Sequence, residues 1–114
     1  MKLLNKEPKK VYISGPMSGL PNNNYEAFFT MEDRLKKAGY EIVNPARMSQ
    51  NAINSGHKNP TRQDFYRQDF KALCDCDAII LLDGWVHSHG ARFERQLAVE
   101  IGCQVFHEDE LRGK

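Results

Sequence analysis

No stretch of this chain approaches the roughly 18 consecutive apolar residues of a membrane-spanning helix. The segment Met1 to Lys10 carries lysines but no apolar run of signal-peptide length. The expectation is a cytoplasmic protein with no membrane partner. Charge of one sign is also lacking. Sixteen Lys and Arg against 15 Asp and Glu leave a formal charge of +1, so there is no field to draw in a polyanion, and no nucleic acid polymer is expected as a partner. Cysteine is scarce: Cys74, Cys76 and Cys103 match neither a disulfide framework nor a zinc-ligand spacing, which points to inert or buried thiols in a reducing compartment. The histidines His57, His87, His89 and His107 contain no i,i+4 pair, and His87-x-His89 has no third ligand. No metal is expected. Repeats, low-complexity tracts and linkers are absent too, and 114 residues fit one domain, which at that size buries roughly two-thirds of its unfolded surface.

What the chain does contain is an alternation of short apolar runs with amphipathic stretches. Residues 1–10 are charged, include Pro8 and read as a flexible lead-in. Val11-Tyr12-Ile13-Ser14 reads as a buried strand ended by Gly15-Pro16, and the polar turn to Asn24 ends in an Asn at 23 or 24 able to cap a helix. From Tyr25 to Ala38, Phe28, Met31, Leu35 and Ala38 recur at helical spacing before Gly39. Tyr40 to Asn44 is a second strand stopped by Pro45, and strand, helix, strand in about 35 residues predicts a right-handed parallel crossover. Residues 46–60 are rich in Asn, Ser and Gly and read as a loop, with a weak helical signal at 47–54. A helix follows from Thr61 to Cys76, and Asp77 to Leu82 is the strongest strand, apolar on both faces as in a covered parallel sheet. A third helix begins near His89 or Gly90 and stops at Gly102. Cys103 to Phe106 is the last strand, and residues 107–114 read as a polar tail. This order predicts a small three-layer α/β domain.

Ligands of such open sheets bind beyond the carboxyl ends of the strands, near the point where strand order reverses. Three segments converge there: Ser14 to Met17, Asn44-Pro45, and Asp83 to Gly90. Glu94 follows about one turn inside a helix, whose free N–H groups and positive end favour an ionised carboxylate and nearby anions. Asp69, in the helix before the strongest strand, leans toward the same strand end. Paired carboxylates are the tools of glycosyl transfer; the plainer reading is solvated charge, with Glu94 in a surface ion pair with Arg92 or Arg95. Ser14-Gly15-Pro16 can present backbone N–H groups to a phosphate, yet it lacks the lysine of a P-loop and the third glycine of a dinucleotide fingerprint. Ser88 is either a helix cap or a ligand contact. Trp85 either stacks on a base, folds back on the core or meets a neighbouring subunit, and Tyr12 reads as core with a hydroxyl that needs a partner.

Three motifs in order, Val11-Tyr12-Ile13-Ser14-Gly15-Pro16, Tyr66-Arg67-Gln68-Asp69 ahead of Asp77 and its strand, and Gly90-Ala91-Arg92-Phe93-Glu94 ahead of Ala98 and Gly102, resemble the nucleoside 2-deoxyribosyltransferase superfamily. The likeness covers roughly residues 11–106 and is to a short branch found in phage and bacterial genomes. That superfamily holds deoxyribosyltransferases and deoxynucleoside 5′-monophosphate N-glycosidases. The resemblance implies a flavodoxin-like (Rossmann-like) domain with a mainly parallel sheet of four to five strands, no cofactor, and a homo-oligomer, dimer or higher, whose subunits complete one another's sites. It implies that Glu94 attacks C1′, that Tyr12 orients it, and that Asp69 contacts the base or protonates its leaving nitrogen. At the position of Ser88, transferases acting on free nucleosides tend to carry aspartate and monophosphate hydrolases serine. A carboxylate there would repel phosphate. The implied substrate is a nucleoside 5′-monophosphate, with Ser14, Gly15, Pro16, Ser88, Gly90 and Arg92 around its phosphate and Trp85 near the base or a partner. Residues 46–60 differ from the larger enzymes, so base specificity stays open. The alternative on the same scaffold is a nucleotide-binding module or sensor without catalysis.

Overall fold

The apolar run Val11 to Ser14 becomes the middle of the sheet. In the computed structural model, which describes residues 8–54 and 61–111, β1 (Lys10–Ser14) pairs in parallel with β2 (Glu41–Val43) on one side and β3 (Ala78–Leu81) on the other. β3 pairs in parallel with β4 (Gln104–His107), so the order is β2-β1-β3-β4. Strand side chains alternate between faces, and two apolar clusters result. Val11, Ile13, Ala78, Ile80 and Leu82 join Phe28, Met31 and Leu35 of α1 (Tyr25–Lys37) in the first. Tyr12, Ile79 and Leu81 join Leu73 of α3 (Arg62–Cys74) and Ala98 of α4 (His89–Glu100) in the second. Helices cover both faces, which is why β3 is apolar without alternation. The all-parallel, three-layer arrangement is a flavodoxin-like fold, as expected.

Local chemistry sets the helix limits. Thr61 and Asp64 form a capping box at the start of α3, with the Asp64 N–H donating to Thr61 Oγ1 at 3.1 Å and the Thr61 N–H to Asp64 Oδ2 at 2.9 Å. Asn24 stands at the N-cap of α1 but does not cap it through its side chain. Asn22, Asn23 and Asn24 all have left-handed backbones (φ 50, 54 and 59°), which asparagine tolerates better than most residues, and the Asn24 amide donates instead to the Pro16 carbonyl at 2.9 Å.

Two segments read as irregular are ordered. Pro45 opens α2 (Pro45–Asn54), a full helix where the sequence reads as a loop with only a weak helical signal at 47–54. Proline is well suited to a first helical position, and the Asn44 side chain accepts from the Ala46 N–H at 2.9 Å. Arg47 then ties α2 to α1 through Glu32, at 3.1 and 2.5 Å, with its guanidinium 4.7 Å from the Phe29 ring centroid. Within the polar tail, α5 (Glu108–Leu111) docks because Leu111 is only 5% exposed and enters the first cluster. Burying one leucine contributes about 1.5–3 kcal/mol, and Glu108 Oε1 also accepts from the Asp83 N–H at 2.8 Å. The expected lead-in over 1–7, the remainder of the expected loop at 55–60 and tail residues 112–114 lie outside the described residues. Among the described residues no helix is long and apolar enough to cross a membrane.

The ends of β1 and β3 are pressed together. The Leu82 N–H donates to the Ser14 carbonyl at 2.8 Å. A Cβ on Gly15 would sit 2.8 Å from Leu82 Cβ, and one on Gly84, whose φ is +88°, would sit 3.3 Å from Pro16 Cγ. Gly15→Ala is therefore expected to destabilise the domain by about 1–3 kcal/mol, seen as a lower urea midpoint at unchanged slope. An unchanged midpoint would contradict this close approach.

Candidate active site

α4 begins where Ser88 caps it, its Oγ accepting from the Ala91 N–H at 3.2 Å. The inward stripe of α4 is Ala91, Glu94 and Ala98, and the two alanines let the helix lie close on the sheet. Glu94 is thereby carried under the protein surface, only 7% exposed. There it meets the face of β1 that presents Tyr12 and Ser14, both wholly buried. Ser14 Oγ donates to Glu94 Oε1 at 2.6 Å, and the Tyr12 hydroxyl donates to Oε2. The carboxyl sits beside the end of β1, where the chain runs outward to β2 in one direction and to β3 in the other. Glu94 is thus no surface partner of Arg92 or Arg95. Both arginines are exposed, and Arg95 lies over the Trp85 ring at 5.6 Å.

Burial pushes the Glu94 carboxyl up to about 7, against the opposing hydrogen bonds from Ser14 and Tyr12. The helix end does not keep it fully ionised; near neutrality it is divided between its two forms. Asp69 on α3 is pushed up to about 8, by burial and then by the charge on Glu94. Its Oδ1 is buried and has no hydrogen-bond partner among the described residues. Burial, followed by Glu94 and Asp69, also raises Tyr12 well above the usual tyrosine range, so it stays a neutral donor. Two carboxyls with different environments are the arrangement that separates a nucleophile or base from an acid.

Tyr66, one turn before Asp69, completes this wall. It stacks on Phe70, with centroids 5.3 Å apart and planes at 6°, and its ring edge comes 3.5 Å from where a Cβ on Gly90 would sit. The sequence names Tyr66 only as the first residue of the motif that ends in Asp69 and gives it no role, although its i,i+3 relation to Asp69 puts both on one helix face.

The other expected contacts distribute as follows. Gly15 packs on Leu82, and Pro16 lies near Gly84. Gly90 is half-buried beside Tyr66, and Arg92 is exposed on α4. Trp85 opens a 3-10 turn (Trp85–His87) and folds back on the second cluster, its ring 5.7 Å from His107. Among the described residues no group of three or more His, Cys, Asp or Glu could hold a metal ion. Cys76 and Cys103 are free thiols raised by burial, Cys76 to about 12, which makes them poor nucleophiles.

Residues 9–107 match the family described as a domain of unknown function, DUF4406. The chain belongs to that family. No curated protein matches it. The span shared with DUF4406 contains Tyr12, Ser14, Tyr66, Asp69, Ser88 and Glu94 together, so the carboxyl pair lies within the part of the chain that defines the family.

The carboxyl pair has a signature in stability. Burial, and then Glu94, push Asp69 from the ordinary 3.8 up to about 8 in the folded DUF4406 domain, so the folded state binds an extra proton between those values and loses stability as pH rises through them. Glu94 acts in the same direction between 4.5 and about 7. Glu32, lowered by Arg47, acts oppositely and loses its contribution as pH falls. Asp69→Asn is therefore expected to gain on the wild type progressively from about pH 4 to 8 and then level off, measured by urea unfolding across pH. A difference independent of pH would contradict the raised Asp69.

Proposed function

We propose that this protein cleaves or transfers the N-glycosidic bond of 2′-deoxynucleosides, foremost their 5′-monophosphates, through a glycosyl-enzyme intermediate on Glu94. The observation that carries this reading is the Glu94 carboxyl held by two buried hydroxyls, with the proton-retaining Asp69 close enough to feel its charge. The motif resemblance to the nucleoside 2-deoxyribosyltransferase superfamily supports it independently. In the first step a Glu94 oxygen bonds to C1′ while the bond to the base nitrogen breaks, the electron pair leaves with the base, and Asp69 supplies its proton. In the second step water or another base attacks C1′, the bond to the Glu94 oxygen breaks with its electron pair returning to the carboxylate, and the ionised Asp69 takes the proton that the nucleophile loses. The outcome is hydrolysis or transfer accordingly, and neither step calls for a cofactor.

A 5′-phosphate suits the start of α4. The N–H groups of His89 and Gly90 precede the regular helical bonding, and the positive helix end favours an anion. Ser88 stands beside them without a carboxylate's repulsion, with Gly90 close by and Arg92 on the exposed side of the same helix. Gly15 and Pro16 lie at the neighbouring strand end. Trp85, engaged by His107 and Arg95, receives no base contact in this reading. Free thiols and a nucleotide substrate suit the cytoplasm.

A homo-oligomer belongs to the same proposal. The outward face of α4 carries Arg92, Phe93, Gln96, Val99 and Glu100, with Phe93 46% and Val99 48% exposed. Pairing α4 with a second copy antiparallel about Gln96 sets Phe93 against Val99 and Arg92 against Glu100, a self-complementary contact of the kind a two-fold axis requires.

Incubation with each deoxynucleoside 5′-monophosphate and chromatography for free base is expected to show release. Glu94→Gln should lower it about 10³-fold or more and Asp69→Asn about 10²- to 10⁴-fold. Binding of a nucleotide without any release would favour the sensor instead. Phe93→Asp is expected to shift light-scattering mass toward the monomer; an unchanged mass would remove α4 as the contact.

A further inference from the structure

Ser14 Oγ lies 2.6 Å from Glu94 Oε1 at a position with no solvent exposure. A serine hydroxyl has one proton to donate, and here it is committed to Glu94 rather than to a phosphate, where the sequence motif places it. Tyr12, two residues earlier on the same strand face, donates to the other oxygen. We infer that Ser14 is a positioning residue for Glu94: its hydroxyl fixes the rotation of the carboxyl group and favours the ionised form that attacks. The attacking role rests on the function proposed above; the hydrogen bond and its effect on the carboxyl do not.

The backbone makes this a rigid constraint. β1 is paired on both sides as far as Tyr12, and on the β3 side Ser14 stands opposite Leu81, its carbonyl accepts the Leu82 N–H at 2.8 Å, and Gly15 is pressed against Leu82. The hydroxyl therefore reaches Glu94 from a fixed point. An alanine at this position keeps every backbone bond and removes one oxygen, leaving Oε1 buried without this donor. A buried carboxylate deprived of a hydrogen bond holds its proton more tightly, and Ser14 opposes the upward push of burial on Glu94.

Few other groups act on this carboxyl. Tyr12 faces it from β1, and Asp69 feels its charge from α3, where Tyr66 packs near Gly90. Arg67 and Lys71 of α3 are exposed, as are His87 before α4 and Arg92 and Arg95 on it. β3 has no ionisable residue, and His107, the ionisable residue of β4, lies against Trp85.

The test follows the Glu94 carboxyl directly. Protein labelled with ¹³C at glutamate carboxyls is titrated by NMR, and the Glu94 signal is recognised by its loss in Glu94→Gln. Ser14→Ala is expected to raise the Glu94 midpoint by about one unit, and to do so again in an Asp69→Asn background, where the neighbouring charge is gone. In turnover of a deoxynucleoside 5′-monophosphate, the acid limb of the kcat/KM profile should move with it. A midpoint unmoved by Ser14→Ala in both backgrounds overturns the inference. A raised midpoint in a protein that releases no base sustains the Ser14 assignment and counts against the glycosidase reading, so the two failures are distinguishable.

Discussion

A carboxyl group placed under a helix, against the middle strand of a parallel sheet, is the constraint on which this molecule turns. Removing the Glu94 charge from water is unfavourable, and the fold answers with two hydroxyls from one strand face, each directed to a different carboxylate oxygen. That solution requires β1 to be central, with Tyr12 paired to both neighbouring strands and Ser14 held on the β3 side opposite Leu81. It also requires α4 to approach closely, which the small Ala91 and Ala98 permit on either side of Glu94. The hydroxyls do not cancel the burial completely, and Glu94 remains well above an ordinary glutamate. Asp69 is raised first by its own burial and then by the charge on Glu94. Burial of both groups thus produces a carboxyl with a fixed orientation and a neighbouring acid that keeps its proton at neutral pH.

The surrounding structure serves this arrangement by bringing strand ends together. Gly15 has no room for a side chain against Leu82, and Gly84 occupies a left-handed turn near Pro16. These contacts hold the turn after β1 to the turn after β3. α5 adds a further tie, since Glu108 accepts from the Asp83 backbone while Leu111 anchors the short helix in the opposite core. Trp85 packs toward His107 and Arg95. It closes the β4 side of the sheet end, while Tyr66 and Phe70 wall the α3 side. Several separate segments thus meet at this end of the sheet, the region where open parallel sheets generally bind ligands.

Most of the fold was legible in the sequence because its signals were periodic. Phe28, Met31 and Leu35 marked one helix, and the run Asp77 to Leu82 read as a strand covered on both faces. Where the reading stopped short, local chemistry competed with periodicity. Pro45 ended a strand and also began α2; the same residue serves both purposes, and only the Asn44 side chain turned toward Ala46 reveals the second. Leu111 was a single apolar residue in a polar tail, too little for any period, yet it is buried. Tyr12, Asp69 and Glu94 could be marked as candidates from three motifs, with Tyr12 expected to orient Glu94, but the second hydroxyl on that carboxyl could not. That Ser14 points at Glu94 depends on strand register and on the rotation of α4, neither of which is written in local sequence. The raised proton affinity of Asp69 likewise depends on burial contributed by segments distant in the chain.

The most direct test of the account is to acid-quench the protein during reaction with a deoxynucleoside 5′-monophosphate, digest it and examine the peptide containing Glu94 by mass spectrometry. The account predicts a 5-phospho-2-deoxyribosyl group bound through C1′ to the Glu94 carboxylate, forming as base is released and absent from Glu94→Gln. Release of base with no adduct, or with the sugar attached to a different residue, would contradict it.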